Sequence, residues 1–251
     1  MDTIGDIAIV RLTKANTSSK RRLASGLLDE MKNVKCIYEQ EGGIEGELRL
    51  RKLSYLAGER RTRTIHRENG CSFKVDVAKC YFSPRLSTER LRIVGDVEKG
   101  ESVLNMFAGV GPFSIPIAKR KEVNVMSCEI SKLACRLHGE NNALNKVEKF
   151  VRVVNADALD LPKITRRRFD RIIMPHPSQT PKFIPTALRL AKNGAVIHYY
   201  RHLLGRNETE GSENLSRELQ SILPKGAEYE PRRVREVGPR WMEMAADIRL
   251  P

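Results

Sequence analysis

Phe107-Ala108-Gly109-Val110-Gly111-Pro112-Phe113-Ser114 follows an apolar run and combines residue types that can handle a nucleoside. Its two glycines let backbone approach a ligand, and Pro112 suits the first turn of a following helix. Glu129 lies eighteen residues beyond Gly111, where a carboxylate can accept both hydrogen bonds of a ribose hydroxyl pair. Asn155-Ala156-Asp157 ends a later apolar run, and its acid can accept a hydrogen bond from an adenine amino group. A dinucleotide fingerprint needs a third glycine, and Ser114 stands in its place. Singly, Glu129 is as well explained as a solvated strand-end acid and Asp157 as a helix N-cap. As an ordered set with the turn, they fit S-adenosylmethionine better than NAD.

Such a site needs strands that end beside it. From about residue 92 the pattern alternates strand and helix. Apolar strands are expected at 102–107, 123–128, 150–154, 169–174 and 195–200, with helices to about 120, to about 142 and over 181–191. That rhythm predicts a parallel sheet wound on both faces, with ligands at the carboxyl ends of its strands. Residues 1–80 differ. A strand is expected over 4–12, a helical pattern at Leu23, Leu27, Leu28 and Met31 after a polar stretch at 13–22, a turn at 41–43 and an alternating strand at 47–51. Asn69-Gly70 predicts a hairpin. Residues 205–214 are expected to be a polar loop, before an amphipathic helix (Leu215, Leu219, Ile222, Leu223) and a last strand ending near Leu250.

The chain has 251 residues and a formal net charge of +14, which favours a polyanionic partner, nucleic acid before membrane. Val103–Ala118 contains an asparagine, glycines and prolines, so it predicts no spanning helix, and the acidic N-terminus is unlike a signal peptide. Five cysteines without a Cys-x-x-Cys pair point to reduced thiols in a cytoplasm. His198 and His202 could pair on a metal only if helical, and the preceding Gly-Ala-Val-Ile is strand-like; no metal is expected. Between Leu48 and Arg67 lie seven basic residues (Arg49, Arg51, Lys52, Arg60, Arg61, Arg63, Arg67) and one acid, Glu59, a local excess suited to phosphate neutralisation. The clusters 119–121, 166–168 and 232–235 are weighed equally as solvated faces.

Tyr81-Phe82-Ser83-Pro84-Arg85-Leu86-Ser87-Thr88-Glu89-Arg90, followed by Asn105-Met106 and the turn above, strongly resembles one family. It is the archaeal and eukaryotic type of tRNA guanine-N1 methyltransferase, which acts on the guanosine 3′ of the anticodon. Gly42–Glu47, Asn141–Lys146 and Ile197–Tyr200 resemble it too. A sister group on the same scaffold transfers the aminocarboxypropyl chain of S-adenosylmethionine to the tricyclic wybutosine precursor. Arg85 and Pro177 side with the methyltransferase. Asn105 and Pro175 depart from the Asp and Asn usual in the family. The family's small first domain is not evident before Gly5-Asp6-Ile7-Ala8-Ile9-Val10.

The resemblance implies a class I methyltransferase-type doubly wound (Rossmann-like) sheet over residues 81–251, with a smaller α+β RNA-binding domain over 1–80. It implies a monomer acting on the anticodon arm. Glu89 would take the N1 proton, with a pKa raised by desolvation, and Arg49 would hold O6. The cofactor would lie on Arg90, Phe107, Gly109, Gly111, Glu129, Ile130, Asp157, Ala158 and Pro175. The tRNA would meet Arg51, Lys52, Arg60, Arg61, Arg63, Arg85 and Pro177. The competing explanation of Glu89 is an i, i+4 ion pair with Arg85. A tRNA-binding protein with a degenerate cofactor site and, more remotely, an NAD oxidoreductase are the alternatives from other classes.

Overall fold

The computed structural model describes all residues except 13–15 and 47, and the side chains of all the rest but 44 and 45. β1 (Asp2–Ile4) and β2 (Ile7–Val10) pair antiparallel, α1 (Thr17–Glu30) crosses over, and β3 (Cys36–Glu45) returns parallel to β2. β4 (Leu50–Gly58) closes this sheet antiparallel to β3. Asn16 caps α1 by accepting the Ser19 amide at 2.8 Å, and Ala24 packs with Ala8, Val10, Ile37 and Leu56.

Three local expectations change here. The strand expected over 4–12 is cut by Gly5, which turns at a φ of 57°. The turn expected at 41–43 is a bulge inside β3, where register with β4 shifts between Glu41 and Ile44. The strand expected over 47–51 begins only at Leu50. Leu48 and Arg49 form a turn with Arg49 at a φ of 52°, and Glu47 lies outside the described residues, as does part of the polar stretch 13–22.

β5 (Arg63–Glu68) and β6 (Cys71–Asp76) form the hairpin expected from Asn69-Gly70, both turn residues having the positive φ that a two-residue turn requires. The hairpin ties the two halves together. Gly5 N–H donates to His66 Nδ1 at 3.1 Å, while Asn145 and Asn141 exchange bonds with the backbone of Ser72 and Lys74. One buried core therefore runs from Ile4 and Tyr38 through Phe73 and Phe82 to Ile93 and Val110.

A 3-10 turn at Pro84–Leu86 leads into α2 (Ser87–Asp96). β7 (Ser102–Asn105), α3 (Ser114–Lys121), β8 (Asn124–Glu129), α4 (Lys132–Asn145), β9 (Val151–Asn155), α5 (Leu161–Ile164), β10 (Phe169–Met174), α6 (Thr180–Leu190) and β11 (Ala191–Leu204) then alternate. α7 (Glu208–Ile222), β12 (Glu228–Gly238) and β13 (Trp241–Arg249) finish the chain. The strand order is β12-β13-β11-β10-β7-β8-β9, parallel from β7 to β11, with β13 antiparallel to both β11 and β12. This is a doubly wound α/β sheet whose order reverses at β7, so a crevice opens at the carboxyl ends of β7 and β10. Alternate strand residues face opposite layers: Val103, Val125 and Ile173 pack with Ile93, Ile117 and Leu137, while Leu104, Met126 and Ile172 pack with Phe183, Leu215 and Leu219.

The loop expected over 205–214 is largely helix. Asn207 caps α7 by accepting the Glu210 amide at 2.9 Å, and Gly211, Leu215 and Leu219 are buried on its inner face. The polar residues there line the outer face of a helix, and the sequence pattern hid the inner one. β12 was not anticipated, because its charges mask its alternation. Among the described residues no helix is long and apolar enough to cross a membrane.

Candidate active site

The turn after β7 is pinned from below. Asn105, fully buried, donates through Nδ2 to Ser114 Oγ at 3.0 Å and accepts the Phe107 amide at 3.2 Å, and Ser127 donates to the same Ser114 oxygen at 2.8 Å. Where the family's usual acid would accept, Asn105 both donates and accepts, so the buried chain of polar atoms is satisfied. Gly109 lies on the cleft wall with a φ of 53°. Gly111 does not line the cleft. Its φ is 96°, and a Cβ there would lie 2.6 Å from His138 Nε2, so its glycine serves packing under the turn.

Glu129 at the end of β8 accepts the Gly109 amide through one oxygen and the Ser131 amide through the other, both at 2.8 Å. Burial nevertheless pushes its carboxyl up from the ordinary glutamate value. Asp157 caps the turn at 158–160 by accepting the Leu159 amide at 2.9 Å, and it also lines the cleft. The capping and ligand explanations of Asp157 are thus compatible. Ile130, 41% exposed, and Ala158 give the cleft apolar walls. Phe107 stands edge-on to Phe183 with ring centres 4.8 Å apart, and Pro175 closes the rim. A flat ring system with a ribose would find one apolar slot and two carboxylates here.

Arg90 is fully buried between Phe82 and Phe113 and borders the cleft, donating to Glu68 at 2.5 Å and to the Ser83 carbonyl at 2.6 Å. Burial pushes its pKa down against the pull of Glu68. Arg49 lies 4.7 Å over the Tyr81 ring and donates to Ser178 Oγ at 3.1 Å, while its buried Nε has no hydrogen-bond partner among the described residues. Arg49, Tyr81 and Ser83 also line a second cleft, of about 590 Å³, between β3, β4 and the β12–β13 hairpin.

Glu89 lines neither cleft. It sits in the first turn of α2, 7% exposed, where its Oε1 accepts from the Tyr200 hydroxyl and from Arg232, both at 2.5 Å, and from Arg92 at 3.0 Å. The raised pKa expected for it is corrected. Burial pushes the carboxyl up, but Arg92, Arg232 and Tyr200 together hold it below the ordinary glutamate value. The competing ion pair with Arg85 is not made either, since Arg85 pairs with Asp2 at 2.6 Å. Arg92 continues to Asp247 at 2.5 Å, and Asp247 to His198 Nδ1 at 2.6 Å. Asp96, His198 and Asp247 converge as metal ligands might, but Arg92 and Arg171 are bonded into the same group and balance its charge. His202 sits on the strand, 3.8 Å from Glu243.

The basic run divides. Arg51 is buried, pairs with Asp2 at 3.0 Å and donates to the Phe82 carbonyl, so the expectation that it meets phosphate is corrected. Pro177 is also buried, its carbonyl accepting the His202 amide at 3.0 Å, which removes it as a surface contact for RNA. Arg61 is partly exposed and bridges Asp6 and Glu59, and Arg63 is largely exposed, 3.6 Å from Asp76. Lys52 is largely exposed beside Glu41, and Arg60 lies over the Tyr55 ring at 5.6 Å. Tyr200, Arg232 and Ser178 were not singled out from sequence. Arg232 belongs to a charge run, and only the β12–β13 register carries it to Glu89.

This architecture and its cleft define a nucleoside-binding α/β domain joined to a small α+β unit. Residues 64–222 match the model of the TRM5/TYW2 methyltransferase domain, and residues 2–62 that of the TYW2 N-terminal domain. The chain belongs to the TRM5/TYW2 methyltransferase family. It is 39% identical to the tRNA (guanine(37)-N(1))-methyltransferase Trm5b of Pyrococcus abyssi, over 99% of this chain and 74% of that one. The solved complex of aTrm5 with tRNALeu superposes with a TM-score of 0.88 at 33% identity, covering 100% of this chain and 71% of that one. The Methanocaldococcus jannaschii TYW2 structure with AdoMet superposes at 0.69 and 26% identity, covering 98% and 96%.

Proposed function

We propose that this protein transfers the methyl group of S-adenosylmethionine to N1 of the guanosine 3′ of a tRNA anticodon. The observation that carries this is the cleft itself: a glycine turn locked to Glu129, with Asp157 alongside, opening through Arg49 and Tyr81 into a second, cationic cleft. The cofactor would rest on Phe107, Gly109, Glu129, Ile130, Asp157, Ala158 and Pro175, with Arg90 fixing the adjoining loop. Arg49 Nε, buried and with no hydrogen-bond partner among the described residues, would meet the charge that develops at guanine O6. Residues 1–80 would grip the anticodon arm through Lys52, Arg60, Arg61 and Arg63, with Arg85 adding to the same face from the turn before α2. The protein would work as a cytoplasmic monomer.

In the transfer, the guanine N1 lone pair forms the new N–C bond as the sulfonium C–S bond breaks, releasing S-adenosylhomocysteine. The N1 proton would pass to Glu89 once substrate entry uncovers it, since Glu89 lies behind the walls of both clefts. Its Oε2 is the better acceptor, since among the described residues it takes only a 3.3 Å bond from Arg92 Nε while Oε1 is crowded. An ionised Glu89 held by three donors is a weak base. Substrate entry must therefore draw Arg232 away, which would raise the carboxylate's basicity as the proton is taken. Positioning of sulfonium and N1 in line supplies the rest.

Two observations favour a second reading, aminocarboxypropyl transfer to the tricyclic precursor: the N-terminal match is to the TYW2 form, and Pro175 stands where the methyltransferase usually has Asn. Mass spectrometry of nucleosides from tRNA transcript incubated with the protein and S-adenosylmethionine separates them. Methylguanosine, absent with Glu89→Gln, supports the first reading. No methyl product, together with a modified tricyclic base on precursor tRNA, supports the second.

A further inference from the structure

The second cleft holds the chain's one tryptophan, which the chemistry above does not use. Trp241 begins β13 at the tip of its hairpin with β12, opposite Gly238 on one side and Leu204 on the other, and is 44% exposed. Leu204 and Val237 beside it are exposed as well, so this is a patch of apolar surface and not a single stray ring. The surroundings carry a net positive charge: Arg11, Arg49, Arg51, Arg85 and Arg235 line the same cleft against the two acids Asp2 and Glu236, together with the Tyr81 ring. An apolar protein partner would have to desolvate these guanidiniums. A partner with flat faces and negative charge satisfies both features, which is the chemistry of unpaired nucleotides. The cleft joins the active-site cleft through Arg49, Tyr81 and Ser83, so what it binds is continuous with what is modified.

We propose that this cleft is a second nucleotide subsite, in which Trp241 stacks on an unpaired base next to the target while Arg11 and Arg85 neutralise the phosphates beside it. The proposal rests on the tRNA reading above and deepens it. A base inside a duplex offers no free face, so the occupant is single-stranded.

Because no other tryptophan is present, emission reports on this ring alone. An RNA hairpin with an anticodon-type loop should quench it on titration, and a fully paired RNA of equal length should not. Binding is followed independently by anisotropy of the dye-labelled hairpin. Trp241→Ala should weaken it by about tenfold, the scale of one lost base stack, and Trp241→Phe should recover most of the loss. If the hairpin binds with emission unchanged and Trp241→Ala binds as tightly as the parent, the subsite is overturned and RNA binding stands. Equal quenching by the paired RNA also overturns it. A hairpin that gives no anisotropy change overturns the tRNA reading on which the subsite depends.

Discussion

The Tyr200 hydroxyl donates to Glu89 Oε1 across 2.5 Å, from the middle of the large sheet to the first turn of α2. The pair is buried, and the tyrosine's pKa is pushed well above its ordinary value by burial and by the neighbouring carboxylate, so it stays a donor at every working pH. Removing the donor should therefore raise the pKa of Glu89. With Glu89 as base, activity rises with pH as it ionises, so Tyr200→Phe should move the acid limb of the kcat/KM profile to higher pH. Loss of a buried hydrogen bond to a charge should also cost about 1.5–3 kcal/mol of stability, measurable by urea denaturation. An unmoved acid limb with lowered stability would leave Tyr200 a structural role only.

Arg232 is the partner of Glu89 that comes from outside the core sheet positions, on edge strand β12. Arg232→Gln should relieve part of the depression of the Glu89 pKa, and again raise the acid limb. If withdrawal of Arg232 accompanies substrate entry, the variant should lower KM for tRNA or leave it unchanged while altering kcat. A rise in KM of about tenfold with kcat unchanged would instead make Arg232 an RNA contact.

The cofactor half of the site was legible in the sequence because its determinants are local. Gly109, Glu129 and Asp157 each sit at the end of a short apolar run, and strand ends of a doubly wound sheet converge by topology. Asn69-Gly70 was legible for a similar reason, since two positive φ values select those residues. The setting of Glu89 was not. Its partners Tyr200 and Arg232 are 111 and 143 residues away, and no periodicity records which strand will lie beside α2. The desolvation expected for Glu89 is present, but Arg92 on the next turn of the same helix and two donors that only tertiary packing supplies, Tyr200 and Arg232, reverse its effect. Arg51 misled in the same way: alternation along the strand predicted exposure, whereas the bulge in β3 and the pairing with Asp2 bury it.

Gly111→Ala tests whether the turn is held by packing beneath it. The new Cβ would meet His138, whose imidazole burial pushes down to about 4 and so keeps neutral, and the φ of 96° is strained for any side chain. We expect a loss of about 1–3 kcal/mol in stability. S-adenosylmethionine affinity by calorimetry should fall with it, because the same turn carries the Gly109 amide to Glu129. Unchanged stability and affinity would show that His138 can move aside without cost.

Acid sensitivity should have a local origin at the start of β7. Burial pushes the Asp170 carboxyl up, but Lys192 and the amide and hydroxyl of Ser102 hold it down to about 2, from an ordinary 3.8. A carboxylate depressed by folding contributes stability that is fully present above its unfolded pKa and lost as pH falls through its folded one. The window is thus from about pH 4 to about pH 2. Asp170→Asn should be less stable than the parent at pH 7, by about 1 kcal/mol given that the pair with Lys192 is half open to solvent. The gap should narrow through that window and close below it, because the parent's own carboxyl is then neutral. Salt should shrink the pH 7 gap in part, since it screens Lys192 but leaves the buried bonds to Ser102. Denaturation midpoints of the two proteins from pH 7 to pH 2 check this, and a gap constant across the range would assign the loss to packing and not to charge.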